Sequence, residues 1–340
     1  LGIVYILPDI SPMHLKILSG GISITKTAVV AIGGNAILRA GQKGSAEEQF
    51  GNLQNSMPYL VKMIKEGYDI VITHGNGPQV GNILLQNEIA AHKVPPMSLD
   101  ICGAMSQGLL GYMIQQTLTN LLYREKIKKC VVSIVTQVVV NADDPAFKNP
   151  TKPVGQYYPK EEAEKLMKEK GWVMKEDRAR GGFRRVVPSP EPVDIVEKDA
   201  IRRLVFSGEN QEYVVVAAGG GGIPVVRTAN GYTGVEAVID KDLASSVLAN
   251  AIDEKFFIIL TDVDRVCLNF GKPDQTPISS MTLSEAERYY ERGEFPSGSM
   301  GPKILAAMRF LQRGGEKVLI TSGEGLMDAL EGRTGTVITR

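Results

Sequence analysis

The chain has 340 residues, 43% of them hydrophobic but only 6% aromatic, with 36 glycines and 18 prolines. At about 150 residues per domain that length allows two domains, or one large α/β domain carrying an insertion. Lys plus Arg (38) balances Asp plus Glu (38), so no bulk positive field exists to grip nucleic acid or an anionic membrane, and anionic ligands must be held by locally placed cations and backbone dipoles.

Residues 1–24 are apolar but interrupted by Pro8, Asp9, Pro12, His14 and Lys16, well short of the roughly 20 residues that span a bilayer. Without a charged n-region and a small-residue cleavage site they do not read as a signal peptide. They are expected to be an N-terminal extension or a non-native remnant, with Met13 as one candidate native start. Residues 25–340 then form the domain.

From Thr27 onward, short β-branched runs alternate with helical spacing. The runs at 29–32, 70–72, 131–140, 214–216, 256–260 and 318–320 suit strands buried on both faces of a parallel sheet. Between them, 47–66, 105–123, 194–206, 241–251, 284–291 and 303–311 carry helical periodicity. Such alternation predicts an α/β fold, a three-layer α/β/α sandwich with a mainly parallel central sheet. Residues 143–192 break the rhythm with seven prolines and the only tryptophan, and are expected to form an inserted lid subdomain. Residues 219–240 read as a glycine loop followed by a hairpin turning at Asn230-Gly231. Cys102, Cys130 and Cys267 are scattered and have no His cluster near them, which argues against a disulfide scaffold or zinc site and fits a reducing cytoplasm.

Ligands of open parallel sheets bind beyond the carboxyl ends of the strands. After the first run come Gly33, Gly34, Asn35 and Ala36, and after the second Gly75, Asn76 and Gly77, followed by Pro78, Gln79, Val80 and Gly81. Both loops read as backbone anion cradles, although a tight strand-to-helix turn uses glycine for its own sake. Neither is a P-loop or a dinucleotide fingerprint. Lys152 lies between Pro150 and Pro153, on backbone of little freedom. Asp240, Lys241 and Asp242 open a helix, where either Asp has an ordinary capping role available but a lysine opposes the dipole. Lys303 follows Gly298, Met300, Gly301 and Pro302 and is likewise expected to open a helix. Repulsion between a lysine and a helix N-terminus turns favourable once phosphate arrives. Thr261, Asp262 and Val263 offer groups for a nucleoside, while His74 reads as a packing residue. Cradles, three lysines and an organising carboxylate suit phosphoryl transfer, where catalysis is positioning and charge neutralisation.

These motifs, taken with Cys102 to Gly108, Asn149 to Pro153 and Val187 to Pro190, resemble the carbamate kinases of the amino acid kinase superfamily from residue 28 to 339. The resemblance implies reversible transfer from carbamoyl phosphate to ADP, giving ATP and carbamate, with Mg²⁺ as cofactor, a homodimer, a cytoplasmic location and a place in arginine catabolism. It implies that Lys152 contacts carbamate or the transferred phosphoryl group, and that Lys241 and Lys303 hold nucleotide phosphates and are oriented by Asp242. Gly33, Gly34, Asn35, Gly75, Asn76 and Gly77 would bind substrate oxygens, and Asp262, Val263, Met300 and Gly301 the nucleotide. Relatives acting on amino acids carry a lysine where this chain has Ala31, so Ala31 together with Lys152 favours carbamate. The alternatives are another member of the superfamily, such as an acetylglutamate, UMP or isopentenyl phosphate kinase, or a non-catalytic nucleotide sensor. Gln156-Tyr157 and the first 24 residues depart from the family pattern.

Overall fold

A computed structural model describes residues 13–18, 21–177, 181–206, 212–296 and 298–340. Of the expected extension, residues 1–12 and 19–20 lie outside this set, as do 178–180 of the expected lid and Ser297 of the Lys303 loop. Among the described residues the central sheet has nine strands. Their spatial order is Ser280–Thr282, Thr336–Thr339, Lys317–Ser322, Phe256–Thr261, Gly21–Ile32, Tyr68–His74, Tyr213–Val216 and Cys130–Ser133, with Met13–Leu18 paired to Gly21–Ile32. The five strands from Lys317–Ser322 to Tyr213–Val216, and Cys130–Ser133 beside them, run parallel, while Thr336–Thr339 is antiparallel to Lys317–Ser322.

Period-two alternation sends successive side chains to opposite layers. Val29, Ala31, Val71, Phe257 and Ile259 join one core with residues of the Lys198–Phe206, Lys241–Ala251, Leu283–Glu291 and Met300–Gln312 helices. Val30, Ile32, Ile70, Ile72 and Ile258 join the other with the Ala46–Lys65 and Leu99–Arg124 helices. Phe257 and Phe310 meet edge to face at 5.6 Å in the first core, and burying each ring stabilises the fold by roughly 1.5–3 kcal/mol. The molecule is therefore an α/β/α sandwich with a mainly parallel sheet.

Several local expectations are corrected. The run at 131–140 is two strands in different sheets, Cys130–Ser133 and Gln137–Val140. Gln107 separates them by bonding both the N–H and the carbonyl of Thr136, at 2.8 and 3.1 Å. The helix read over 194–206 begins only at Lys198, because Pro192–Ile195 pairs with Gln137–Val140. The hairpin pairs Thr228 with Gly231, so its turn is Ala229-Asn230, one residue earlier than read. The last major helix starts at Met300, which puts Lys303 inside its first turn.

Within 143–192, Lys152–Tyr158, Gly182–Val187 and Val173–Asp177 form a separate antiparallel sheet. The Lys160–Lys170 helix covers it, with Tyr158, Ala163 and Met174 as a small core. At its root, Val154 and Val187 pack with Val80, Ile83 and Leu99 of the main body.

Candidate active site

Ile32 and His74 are register partners on adjacent parallel strands, so the loops that follow leave side by side. A Cβ on Gly75 would lie 3.9 Å from Gly34 Cα, and one on Gly33 would lie 3.2 Å from the Leu260 carbonyl. Both cradles named from sequence thus form one floor, close to Gly33, Gly34 and Gly75. The first leads into a single 3₁₀ turn, Gly34–Ala36, and the second into the Gly77–Ala90 helix. Asn76 is that helix's N-cap, yet its side chain turns away to donate to Ser106 Oγ at 2.7 Å, leaving first-turn N–H groups uncapped by it. An uncapped N-terminus is suited to an anion.

Behind the floor lies the run Gly219–Gly222. A Cβ at each of these four positions would run into the His74 ring, the Asn76 amide, the Ile239 carbonyl and Val138 respectively. Gly220, Gly221 and Gly222 also have φ of +68°, +94° and +82°, a region costly for other residues. The run therefore lets the ends of two strands and the approach to the Lys241–Ala251 helix share one small space. Thr73 Oγ1 and Ser245 Oγ, 2.6 Å apart, tie the same strand to that helix.

At the helix start the two aspartates divide the work. Asp240 is the N-cap, and its Oδ1 accepts from the N–H groups of Asp242 and Leu243 at 2.9 and 3.4 Å. Asp242, buried, stands between two cations, with Lys241 Nζ 2.7 Å from Oδ1 and Lys303 Nζ 3.0 Å from Oδ2. Among the described residues Asp242 is the one ion-pair partner of Lys241, so the Lys241 ammonium keeps further N–H donors inside a buried site. Burial works to raise the Asp242 pKa, but the two ammonium groups outweigh it and hold the carboxyl below its ordinary range. Burial pushes Lys241 down, reinforced by Lys303 and opposed by Asp242. Lys152 Nζ reaches the same helix end from the small sheet, 2.9 Å from Asp240 Oδ2.

His74 is fully buried, and that burial, with the Lys241 charge adding to it, lowers its pKa to about 4. It is neutral near pH 7. Its Nδ1 lies 2.9 Å from the Gly75 carbonyl, so the tautomer protonated there donates to it.

The structure thus gathers Lys152, Lys241, Asp242 and Lys303 at one helix end. The nucleotide candidates are more dispersed. Asn35 donates to Asp262 at 2.6 Å, and both line a cavity of about 410 Å³ with Gly33, Arg39, Ser56 and Tyr59. Val263 is half-buried, Met300 packs on the core, and Gly301 donates its N–H to the Pro296 carbonyl at 2.8 Å. Among the described residues, no hydrogen bond or ion pair links these three to the lysine cluster. Sequence reasoning left two features out of the site: the cavity wall of Arg39 and Tyr59, which had no motif, and Asp240, whose capping position concealed its second partner. Among the described residues no group of three or more His, Cys, Asp or Glu is placed to hold a metal. No helix among them is long and apolar enough to cross a membrane.

The chain as a whole is similar to known proteins of one family. The amino acid kinase family pattern covers residues 26–322. The carbamate kinase of Pyrococcus horikoshii is 50% identical over 313 residues, 92% of this chain and 98% of its own. That of Trichomonas vaginalis is also 50% identical, over 91% and 98%. The Giardia lamblia carbamate kinase bound to AMP-PNP superposes with a TM-score of 0.86 at 44% identity, covering 93% of this chain and 98% of that one. The chain belongs to the amino acid kinase family and, within it, to the carbamate kinases.

Proposed function

We propose that this chain catalyses reversible phosphoryl transfer between carbamoyl phosphate and ADP, yielding ATP and carbamate, which breaks down to CO2 and ammonia. The observation that carries the reading is Asp242 fixed between Lys241 and Lys303 with Lys152 brought to the same helix end. A β-phosphate oxygen of ADP attacks the phosphorus as the bond to the carbamate oxygen breaks. Charge spread over the moving group's oxygens needs fixed cations more than covalent help. Lys241 and Lys303 meet the nucleotide phosphates, while Lys152 meets the carbamate side and the transferred group. The N–H groups of Gly33, Gly34, Asn35, Gly75, Asn76 and Gly77 receive substrate oxygens. Asp262, Val263, Met300 and Gly301 border the nucleoside.

Ala31 is fully buried on the strand leading to Gly33 and brings no charge, so the third cation comes from the separate sheet. This supports carbamate as acceptor in the reverse direction over an amino acid. Mg²⁺ takes most of its ligands from phosphate oxygens and water in such sites. Asp240 and Asp242 are already engaged by lysines, so the ion fits as part of the nucleotide complex. When bound, it supplies further neutralisation of phosphate charge.

A second copy of the chain is expected against the Leu99–Arg124 helix, where Ile101, Met105, Leu109 and Tyr112 form an exposed stripe at helical spacing. We place the enzyme in the cytoplasm and in arginine catabolism. Initial-rate ATP formation from carbamoyl phosphate and ADP tests the activity, with failure above background rejecting it. Lys152→Ala should lower kcat by about 100-fold, the scale of losing one transition-state donor, with little change in the KM for ADP. Wild-type kinetics for this variant would remove Lys152 from its role.

A further inference from the structure

We propose that Asp240 is a positioning residue for this reaction, holding the Lys152 ammonium over the site with one carboxylate oxygen while it caps the Lys241–Ala251 helix with the other. The inference rests on the reading that Lys152 serves the transferred phosphoryl group.

Capping alone does not account for the geometry. Oδ1 makes both bonds to the helix, to Asp242 and Leu243, and Oδ2 is the atom 2.9 Å from Lys152 Nζ. Asn or Ser caps a helix as well as Asp does, so the cap leaves the second charged oxygen unexplained. Lys152 also needs such a partner more than the other two lysines. Its side chain is 35% exposed, against 14% for Lys241 and for Lys303. It springs from the small antiparallel sheet, so the central sheet does not fix its distance from Lys241. A long exposed side chain loses rotamer freedom when held in one place, and the pair with Asp240 imposes that order before substrate arrives.

Charge points the same way. Asp242 already has one lysine on each oxygen, and Lys152 stands against Asp240 instead. Without Asp240, three ammonium groups would share one carboxylate, and Lys152, the most exposed, would swing into solvent. With it, the helix end bears two carboxylates and three ammonium groups. Lys152 keeps further N–H donors for the phosphoryl oxygens, since an ammonium has three.

The test separates the two jobs of Asp240. Asp240→Asn keeps a cap and removes the charge, Asp240→Ser does the same through a hydroxyl, and Asp240→Glu keeps the charge. Both neutral variants are expected to lower kcat by about 10-fold or more, the scale of a charge-assisted hydrogen bond, with the KM for ADP within about twofold and the melting temperature unchanged. Asp240→Glu should recover part of the loss. In a Lys152→Ala background, Asp240→Asn should cost nothing further, because it acts through the missing lysine. Equal losses with and without Lys152, or wild-type kcat in Asp240→Asn, would overturn the proposal while leaving the role of Lys152 intact. Wild-type kinetics in Lys152→Ala overturns that role and this proposal together.

Discussion

Asp242 and Lys303, 61 residues apart in sequence, meet with Oδ2 and Nζ 3.0 Å apart at the junction of two helix N-termini. The pair joins the starts of the Lys241–Ala251 and Met300–Gln312 helices. Its geometry sets the distance between the two cations expected to hold nucleotide phosphates.

Asp242→Asn should therefore harm stability and activity together. It strands the Lys241 and Lys303 ammonium groups, each on a side chain only 14% exposed, without their shared carboxylate, a loss of about 3–5 kcal/mol by the usual cost of breaking a buried pair. Denaturant unfolding should show the drop, and ADP should restore more stability to the variant than to the parent, because its phosphates supply the missing negative charge. An unchanged unfolding midpoint would contradict the buried pairing.

The depressed pKa of Lys241 predicts opposite trends in activity and stability on the alkaline side. Phosphate binding needs the charged form, so kcat/KM should fall with pH below the ordinary lysine value of about 10.4. Bound phosphates favour the cation, so the limb in kcat should lie higher than that in kcat/KM. Between the folded and unfolded pKa values the unfolded chain binds more protons, so the contribution of Lys241 to stability rises with pH over the same window. Coincident limbs in kcat and kcat/KM would count against this assignment.

On the acid side the relevant group is His74. Its folded pKa of about 4 lies below its unfolded value of about 6.5, so its contribution is complete above pH 6.5 and is lost as pH falls toward 4. The loss amounts to about 3 kcal/mol at 1.36 kcal/mol per pH unit. A His74→Gln variant, measured from pH 7 to 4, should show a shallower decline than the parent. Parallel curves would mean that His74 does not titrate as its burial requires.

Much of the architecture was legible because local chemistry and tertiary contacts agree. The helix expected over 241–251 has those bounds, since Asp240 caps it and its apolar positions face the core. The 29–32, 70–72, 256–260 and 318–320 runs are strands because both their faces are buried. The 131–140 run was not divisible by inspection, as the side chain that separates its halves is Gln107 on a distant helix. At the site, Lys241, Asp242 and Lys303 were legible as charged residues at helix starts, and Lys152 as a lysine on proline-restricted backbone. The link between Lys152 and Asp240 was not, because the two stand 88 positions apart in sequence, one on a strand of the small sheet and the other at a helix N-cap.

The glycine run behind the site has a consequence for which sequence changes this protein can absorb. At Gly220 the obstacle to a larger residue is the Asn76 side chain, which a second substitution could shorten. At Gly221 it is the main-chain carbonyl of Ile239, one residue before Asp240, and no exchange of side chains removes a carbonyl. A methyl group added at Gly221 would have to displace the start of the helix that carries Lys241 and Asp242. A neighbouring mutation can therefore relieve the clash at Gly220, though not the strain of its φ of +68°, and can relieve nothing at Gly221, so adjacent, chemically identical positions differ in how much of their loss can be repaired.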